Sequence, residues 1–417
     1  MKPHSGASPV PLSGMSLYIH IPFCRTKCPY CDFNTYQGIE SLTSTFLDAL
    51  TTEIRLWGRV LDHPRVNTIF LGGGTPSYLP AGSIKRILEA TESAFQLQAD
   101  AEVTAEANPD DLDQETCASL LEQGVNRLSI GVQSLDNGLL DMLGRRHDAR
   151  QAIDAFARAQ QAGFSNINLD LMYGLPQQTL AQWQDTVAQL LSLKPAHISL
   201  YCLTLEEGTP LHQWVEQGKL PQPDVDLAAD MYHCAEELLE ESGGSHPADL
   251  PSGYHHYEIS NWSRPGLSCR HNLCYWENQP YLGVGPGAHS CLSRHRFWDT
   301  SPPRLYISQV EAWESTEPQP ITFLDQQALG RIGPVEGYEY IDPDLAAAET
   351  MFLGLRLLDG MDLTQASSKA GTDLGVRYRA EIEQCQELGL LEWSGPRLRL
   401  TKPTYLIANQ VFTRFLG

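Results

Sequence analysis

Basic side chains are scarce in this chain of 417 residues. Its 29 Lys and Arg face 51 Asp and Glu, for a formal net charge of −22. Such a surface repels phosphate backbones and anionic bilayers, which argues against nucleic acid as a partner. No apolar run approaches the ~20 residues a membrane helix needs, so no membrane span is expected; peripheral association stays open. Residues 1–14 (MKPHSGASPVPLSG) lack the apolar core of a secretory signal, are broken by Pro and Gly, and read as a flexible tail. Without a signal, ten cysteines point to a reducing cytoplasm, where clustered thiols bind metal or do chemistry rather than pair. A fourth clustered cysteine is missing too. CRTKCPYCDF (24–33) sets Cys24, Cys28 and Cys31 in a Cys-x3-Cys-x2-Cys pattern and then ends on Phe33.

What is present is a repeated unit. From residue 15, short apolar or β-branched runs alternate with amphipathic stretches such as 44–60 and 151–163. The runs are SLYIHIP (16–22), NTIFLGG (67–73), AEVTAEA (101–107), RLSIGVQ (127–133), NINLDLMYG (166–174) and AHISLYCLT (196–204). Alternation at this spacing implies right-handed βαβ crossovers and a parallel sheet. Six units are visible where a closed barrel of this kind needs eight. The expected fold is therefore α/β, a partial (β/α)6 barrel open on one side. Residues 15–300 are assigned to the barrel and an extension of it, 301–345 to a linker region rich in Pro, Gly and Asp, and 346–417 to a mostly helical, winged-helix-like accessory domain. Nothing basic marks a recognition helix there.

The cysteine loop follows directly on the first run, at the carboxyl end of the barrel, where such folds keep their chemistry. Three thiolates within eight residues can wrap one small inorganic centre. Zinc is one reading, closed by a fourth ligand. His20 is the nearest donor but lies in the preceding strand, and the pattern lacks the paired Cys-x2-Cys arms of zinc folds. A [4Fe–4S] cluster is the other. It normally takes four cysteines, and with three it leaves one iron open to an outside ligand.

A CxxxCxxC loop in this place resembles the radical SAM superfamily. The resemblance implies that S-adenosylmethionine (SAM) chelates the open iron and is cleaved to a 5′-deoxyadenosyl radical. YIHIPFC (18–24), GGGTP (72–76), the Glu of EANP (106–109), GVQS (131–134), LGRRH (143–147) and DLMYGLP (170–176) are together similar to one branch of it. That branch holds oxygen-independent coproporphyrinogen III oxidases and the HemW heme chaperones, and the similarity spans nearly the whole chain from residue 15. By position it implies that Cys24, Cys28 and Cys31 hold the cluster and that Tyr18 and Tyr30 line the SAM site. Gly73, Gly74 and Thr75 would meet the methionyl end of SAM, and Glu106, Gln133, Arg145 and Asp170 the rest. Taken singly, the glycines read as a tight turn and each polar residue, His147 included, as a solvated or capping group.

Two functions of different class stand within that branch. One is radical decarboxylation of two propionates of coproporphyrinogen III. The other is a chaperone that holds heme and passes it to apo-hemoproteins, with a heme or electron donor as a further partner. The oxidases resemble CxxxCxxCxC, and the place of the added cysteine is Phe33 here. They also carry a longer N-terminal segment. Both departures favour the chaperone. RHNLCYW (270–276) contains HNxxYW, which the resemblance links to heme handling. His271 offers an imidazole to iron, and Tyr275 and Trp276 offer flat faces to a macrocycle. The alternative is a buried structural histidine with packed aromatics. Cys269 and Cys274 lack the Cys-x-x-Cys-His order of covalent attachment, so the heme is expected to be non-covalent. His255, His256 and His289 are further candidate ligands, and GGSHPADLPSG (243–253) is an insertion without a functional account.

Overall fold

The computed structural model describes residues 8–9, 14–242 and 253–416. Its centre is six parallel strands, β1 (Met15–Ile21), β2 (Arg65–Gly73), β3 (Gln96–Ala107), β4 (Arg127–Gln133), β5 (Asn166–Tyr173) and β6 (His197–Cys202). They pair in chain order. Helices α1 (Thr43–Val60), α2 (Ser83–Ala94), α3 (Gln114–Glu122), α4 (Ala149–Ala162), α5 (Leu180–Leu193) and α6 (Val225–Glu241) follow the strands in turn. Local chemistry sets their ends. Asp148 and Thr179 each form a capping box, with Gln151 and Gln182 reaching back, at the starts of α4 and α5. Trp57 and Trp183, on the inner faces of α1 and α5, are fully buried in the main core.

The expected partial (β/α)6 barrel is present, and its sheet runs past it on both sides. β7 (His255–Glu258) and β8 (Asn261–Ser263) add antiparallel strands beside β6. The short helix α7 (Arg270–Trp276) leads to β9 (Tyr281–Val284), which pairs parallel with β1. Then come β10 (His289–Leu292), β11 (His295–Asp299), α8 (Pro303–Glu314) and β12 (Val335–Tyr340). The twelve strands are ordered β12-β11-β10-β9-β1-β2-β3-β4-β5-β6-β8-β7. The stretch read as a linker, 301–345, is thus largely structured, with Tyr306 and Trp313 of α8 buried in the core. Within the stretch read as a tail, Ser8 and Pro9 pair antiparallel with Leu324 and Phe323. Residues 243–252 of the insertion lie outside the described residues.

The C-terminal part has its own core around Met351, Leu374, Leu398 and Phe415. Helix α9 (Pro343–Gly354) precedes β13 (Met361–Asp362), α10 (Leu363–Ala370), α11 (Arg379–Glu387), β14 (Leu391–Ser394) and β15 (Arg397–Leu400). The last two strands form a hairpin, and β13 joins it to complete the wing. No described helix is long and apolar enough to cross a membrane.

Candidate functional site

The site begins where β2 meets the loop after β1. Gly73 sits at φ +102, which L side chains rarely adopt, and a Cβ there would come 2.3 Å from the His20 ring. Gly74 donates its N–H to Ile21 O at 2.7 Å, and a Cβ on it would strike the carbonyls of Ile21 and Phe23. The glycines thus let β2 lie flush against the cysteine loop. Thr75 donates its N–H to Phe23 O at 2.8 Å and its hydroxyl to Cys24 Sγ at 3.6 Å. Lys27 Nζ donates to the carbonyls of Phe33 and Thr35, folding the loop back on itself.

Cys24, Cys28 and Cys31 are part-buried free thiols on the wall of one cavity of about 480 Å³. Burial raises the Cys24 and Cys31 thiols above their usual range, so a metal centre must displace their protons on binding. The three thiols fit a [4Fe–4S] cluster, which meets each thiolate at a different iron. Among the described residues no three His, Cys, Asp or Glu side chains converge as ligands of a single ion do. His20 does not complete a zinc site either. Its Nδ1 lies 3.0 Å from Tyr18 OH and its Nε2 2.9 Å from Asn34 O.

The other walls come from successive strand ends. Arg145 places Nη1 3.5 Å from Cys28 Sγ and 3.4 Å from Tyr30 OH, and Nη2 donates to Gly131 O and to Asn108 Oδ1. Glu106 Oε2 accepts the Gly73 N–H at 3.0 Å. Burial, and then nearby Asp170, push the Glu106 carboxyl up to about 8. Burial also raises Asp170, although Ser129 and Asn168 donate to it at 3.0 and 2.8 Å. Two buried carboxyls that resist ionisation suit a ligand bringing hydroxyls or positive charge. Gln133 lines the cavity from a left-handed backbone, φ +66.

Of the residues expected at the SAM site, Tyr30, Gly73, Gly74, Thr75, Glu106, Gln133, Arg145 and Asp170 line this cavity with the three cysteines. Tyr18 stands outside that wall, stacked on Phe70 with its hydroxyl on His20. His147 is buried, with Nε2 3.0 Å from Val132 O. Sequence reasoning passed over Arg127, Ser129, Asn168, Ser199, Tyr201 and Asn272, which also line the cavity. Strand alternation was the available signal. Counting back by twos from Gly131 gives Ser129 and Arg127, and from Asp170 gives Asn168.

The HNxxYW residues are placed differently from the expectation. His271 is 1% exposed, with Nδ1 2.8 Å from Thr68 Oγ1 and Nε2 2.9 Å from Tyr275 OH. Both nitrogens are engaged within the protein, so in this arrangement the ring has no lone pair for iron. Tyr275 packs edge-on against Tyr281, and Trp276 lies under the Arg356 guanidinium at 4.2 Å. Asn272 is the residue of this motif that reaches the cavity. His255 turns to Asp359, His256 stacks on Trp262 and His289 on Trp298, and none of the three lines the cavity. Phe33 does line it, and is 64% exposed at its rim.

Residues 18–190 match the radical SAM superfamily, and residues 341–406 the HemN C-terminal domain. The chain is 34% identical over 408 residues to the heme chaperone HemW of Bacillus subtilis, covering 96% of this chain and 99% of that protein. It is also 34% identical to the heme chaperone HemW of Mycobacterium tuberculosis, covering 99% and 97%. Among solved structures it resembles coproporphyrinogen III oxidase (HemN) from Escherichia coli, a radical SAM enzyme. The TM-score is 0.78 over 96% of this chain and 90% of that one, and at 21% identity the likeness is one of fold.

Proposed function

Because the chain belongs to the HemW family of radical SAM proteins, we propose that it is a heme chaperone. It binds heme non-covalently and passes it to apo-hemoproteins in the cytoplasm. The observation that carries this reading is the match to heme chaperones over nearly the full length of both chains.

Cys24, Cys28 and Cys31 hold a [4Fe–4S] cluster, and the cavity beside them takes SAM. Together these cofactors supply one-electron chemistry at the sulfonium. The chain's own residues bind and orient. Gly73, Gly74 and Thr75 bring backbone close to the methionyl end. Arg145 sets positive charge beside Cys28 and Tyr30. Glu106, Gln133 and Asp170 offer acceptors to the rest of SAM, and Tyr18 supports the wall by fixing His20 behind Gly73. Tyr275 and Trp276 serve heme handling as packing around α7 rather than through an imidazole–iron bond.

Titration of anaerobically reconstituted protein with heme tests this. Saturable uptake of about one heme, released to an added apo-hemoprotein, is the expected result. Absence of any binding would overturn the reading.

A further inference from the structure

Behind the cavity wall, a chain of hydrogen bonds between buried side chains ends on Asp170. Asn168 of β5 and His197 of β6 are direct partners across the parallel ladder. Asn168 and Asp170 stand two residues apart on one strand, so they share its inward face. Asn168 Nδ2 donates to Asp170 Oδ1 and to Ser129 Oγ, each at 2.8 Å. Ser129 Oγ donates in turn to Asp170 Oδ2 at 3.0 Å. On the other side of the amide, Asn168 Oδ1 lies 2.6 Å from His197 Nδ1 and accepts from Ser199 Oγ at 3.1 Å. His197 Nε2 lies 2.8 Å from the hydroxyl of Tyr257 in β7. Asp170 and Asn168 line the cavity, whereas His197 and Tyr257 are buried and do not.

The direction of each bond follows from counting protons. Both Asn168 amide protons are committed to Asp170 and Ser129, so its oxygen can only accept. Burial, and then Arg127, hold His197 well below its usual range, so the ring is neutral and carries one proton. The contact with Asn168 Oδ1 requires that proton on Nδ1. Nε2 is then a bare acceptor, and Tyr257, whose hydroxyl burial keeps protonated, donates to it. The chain runs one way, from Tyr257 through His197 and Asn168 to Asp170. The opposite tautomer would set a bare Nδ1 against the Asn168 oxygen, or turn the amide and set that oxygen against Asp170. The far end is anchored too, because Tyr257 O accepts the Leu358 N–H at 3.1 Å from the turn after α9.

We infer that His197 is a positioning residue for SAM, acting through Asn168 to fix the rotamer and the acceptor direction of Asp170. This rests on the reading of Asp170 as a SAM contact. Each Asp170 oxygen already accepts one bond from within the protein, so the acceptor sites left for a ligand have one orientation in the cavity. A binding group works best when the residues behind it lock its geometry.

Equilibrium titration of the cluster-loaded protein with SAM tests this in His197→Asn, His197→Gln and Asp170→Ala, and in each His197 change combined with Asp170→Ala. An Asn amide takes the place of Nδ1 and can still donate to Asn168, whereas a Gln amide takes the place of Nε2. His197→Asn should keep SAM affinity within about threefold, and His197→Gln should weaken it about tenfold. Asp170→Ala should weaken SAM at least ~10-fold. Adding His197→Gln to it should weaken SAM less than ~2-fold further, since the two residues act as one. If His197→Gln does not fold, His197→Phe, which keeps a ring and loses the donor, takes its place with the same expected values. A His197 that only packs would weaken SAM equally in both backgrounds or treat Asn and Gln alike, and either result overturns the inference. An Asp170→Ala protein with wild-type affinity overturns it as well and removes Asp170 from the SAM contacts. A wild type that binds no SAM overturns the reading of the cavity and the inference with it.

Discussion

His271 and Thr68 meet across the barrel, imidazole Nδ1 2.8 Å from hydroxyl Oγ1, while Tyr275 closes on the other ring nitrogen at 2.9 Å. The pair ties α7 to β2, and the His271 N–H adds a bond to Glu102 of β3. This geometry gives His271 a structural task. His271→Ala should destabilise the fold by about 2–4 kcal/mol, because it strands a buried hydroxyl and opens a cavity. Urea unfolding measures this. A variant with unchanged stability and lost heme binding would return His271 to the ligand role.

Glu106 sets stability against binding. Its folded pKa is about 8, against about 4.3 in an unfolded chain. The folded carboxyl therefore keeps its proton where the unfolded one has lost it. Its stabilising contribution is full below about pH 4.3 and is lost as pH rises through 8. Glu106→Gln has no such loss. The variant should gain on the wild type from pH 5 to 8 by up to about 1.4 kcal/mol per unit, without cofactors present, and level off above. The same change should weaken SAM about tenfold above pH 8, where the wild type offers a charged acceptor, and by less below it. Unfolding at pH 5, 7 and 9, with SAM titration alongside, separates the two effects.

How much of this was legible follows from the length of each signal. β1 to β6 each carried an apolar run followed by an amphipathic helix, so six barrel units stood out. β9, β10 and β11 have four or five residues each, too short for alternation to declare itself, and their region was legible only as an extension of the barrel. At the site, residues at strand ends inside distinctive motifs were legible, as Glu106 and Asp170 show. Arg127 and Asn168 opened or filled ordinary strand runs, and only their even spacing from Gly131 and Asp170 marked them as facing the same way. HNxxYW fixes residue types but not the direction of the ring, so the sequence left His271 open between heme ligand and buried structural histidine. Three-dimensional packing brings Thr68 to a histidine 203 residues away.

Cys202 lines the cavity beside the three loop cysteines. Cys24, Cys28 and Cys31 share the cavity wall, while Cys117 and Cys385 are buried in separate cores. Changing any of the first three to Ser should abolish a centre of about four irons in anaerobically reconstituted protein, following the three-thiolate requirement. Ser at Cys117, Cys234 or Cys385 should retain it. Iron and sulfide analysis is the check, and a protein that takes up zinc alone would remove the cluster from the account.

Glu53 of α1 supports the site from behind. It accepts from Tyr306 OH at 2.5 Å, Gly285 N–H at 2.8 Å and Trp57 Nε1–H at 3.3 Å. Burial raises both carboxyls, and Asp299 beside Glu53 is raised well above the usual carboxyl range, which points to Asp299 as the protonated partner. Gly285 in turn packs against the backbone of His20. Glu53→Ala leaves three buried donors unmet and should cost about 3–5 kcal/mol. Asp299→Asn keeps a neutral donor and should cost under about 1 kcal/mol. Equal losses would show that Asp299 is ionised.

Phe33 decides between chaperone and oxidase. It stands where the similar oxidases carry an added cysteine, and its ring is 64% exposed at the rim of the cavity. An exposed ring adds little to the fold, so Phe33→Ala should leave the melting temperature within about 2 °C. The same ring offers a flat apolar face to a macrocycle, and its loss should weaken heme about tenfold. With SAM, a reductant and coproporphyrinogen III, the wild type should form no protoporphyrinogen, because the cysteine of the oxidase pattern is absent. Anaerobic incubation followed by chromatography of the oxidised porphyrins reads this directly. If protoporphyrin accumulates while Phe33→Ala binds heme as the wild type does, the chain is an oxidase and Phe33 is a bystander at its rim.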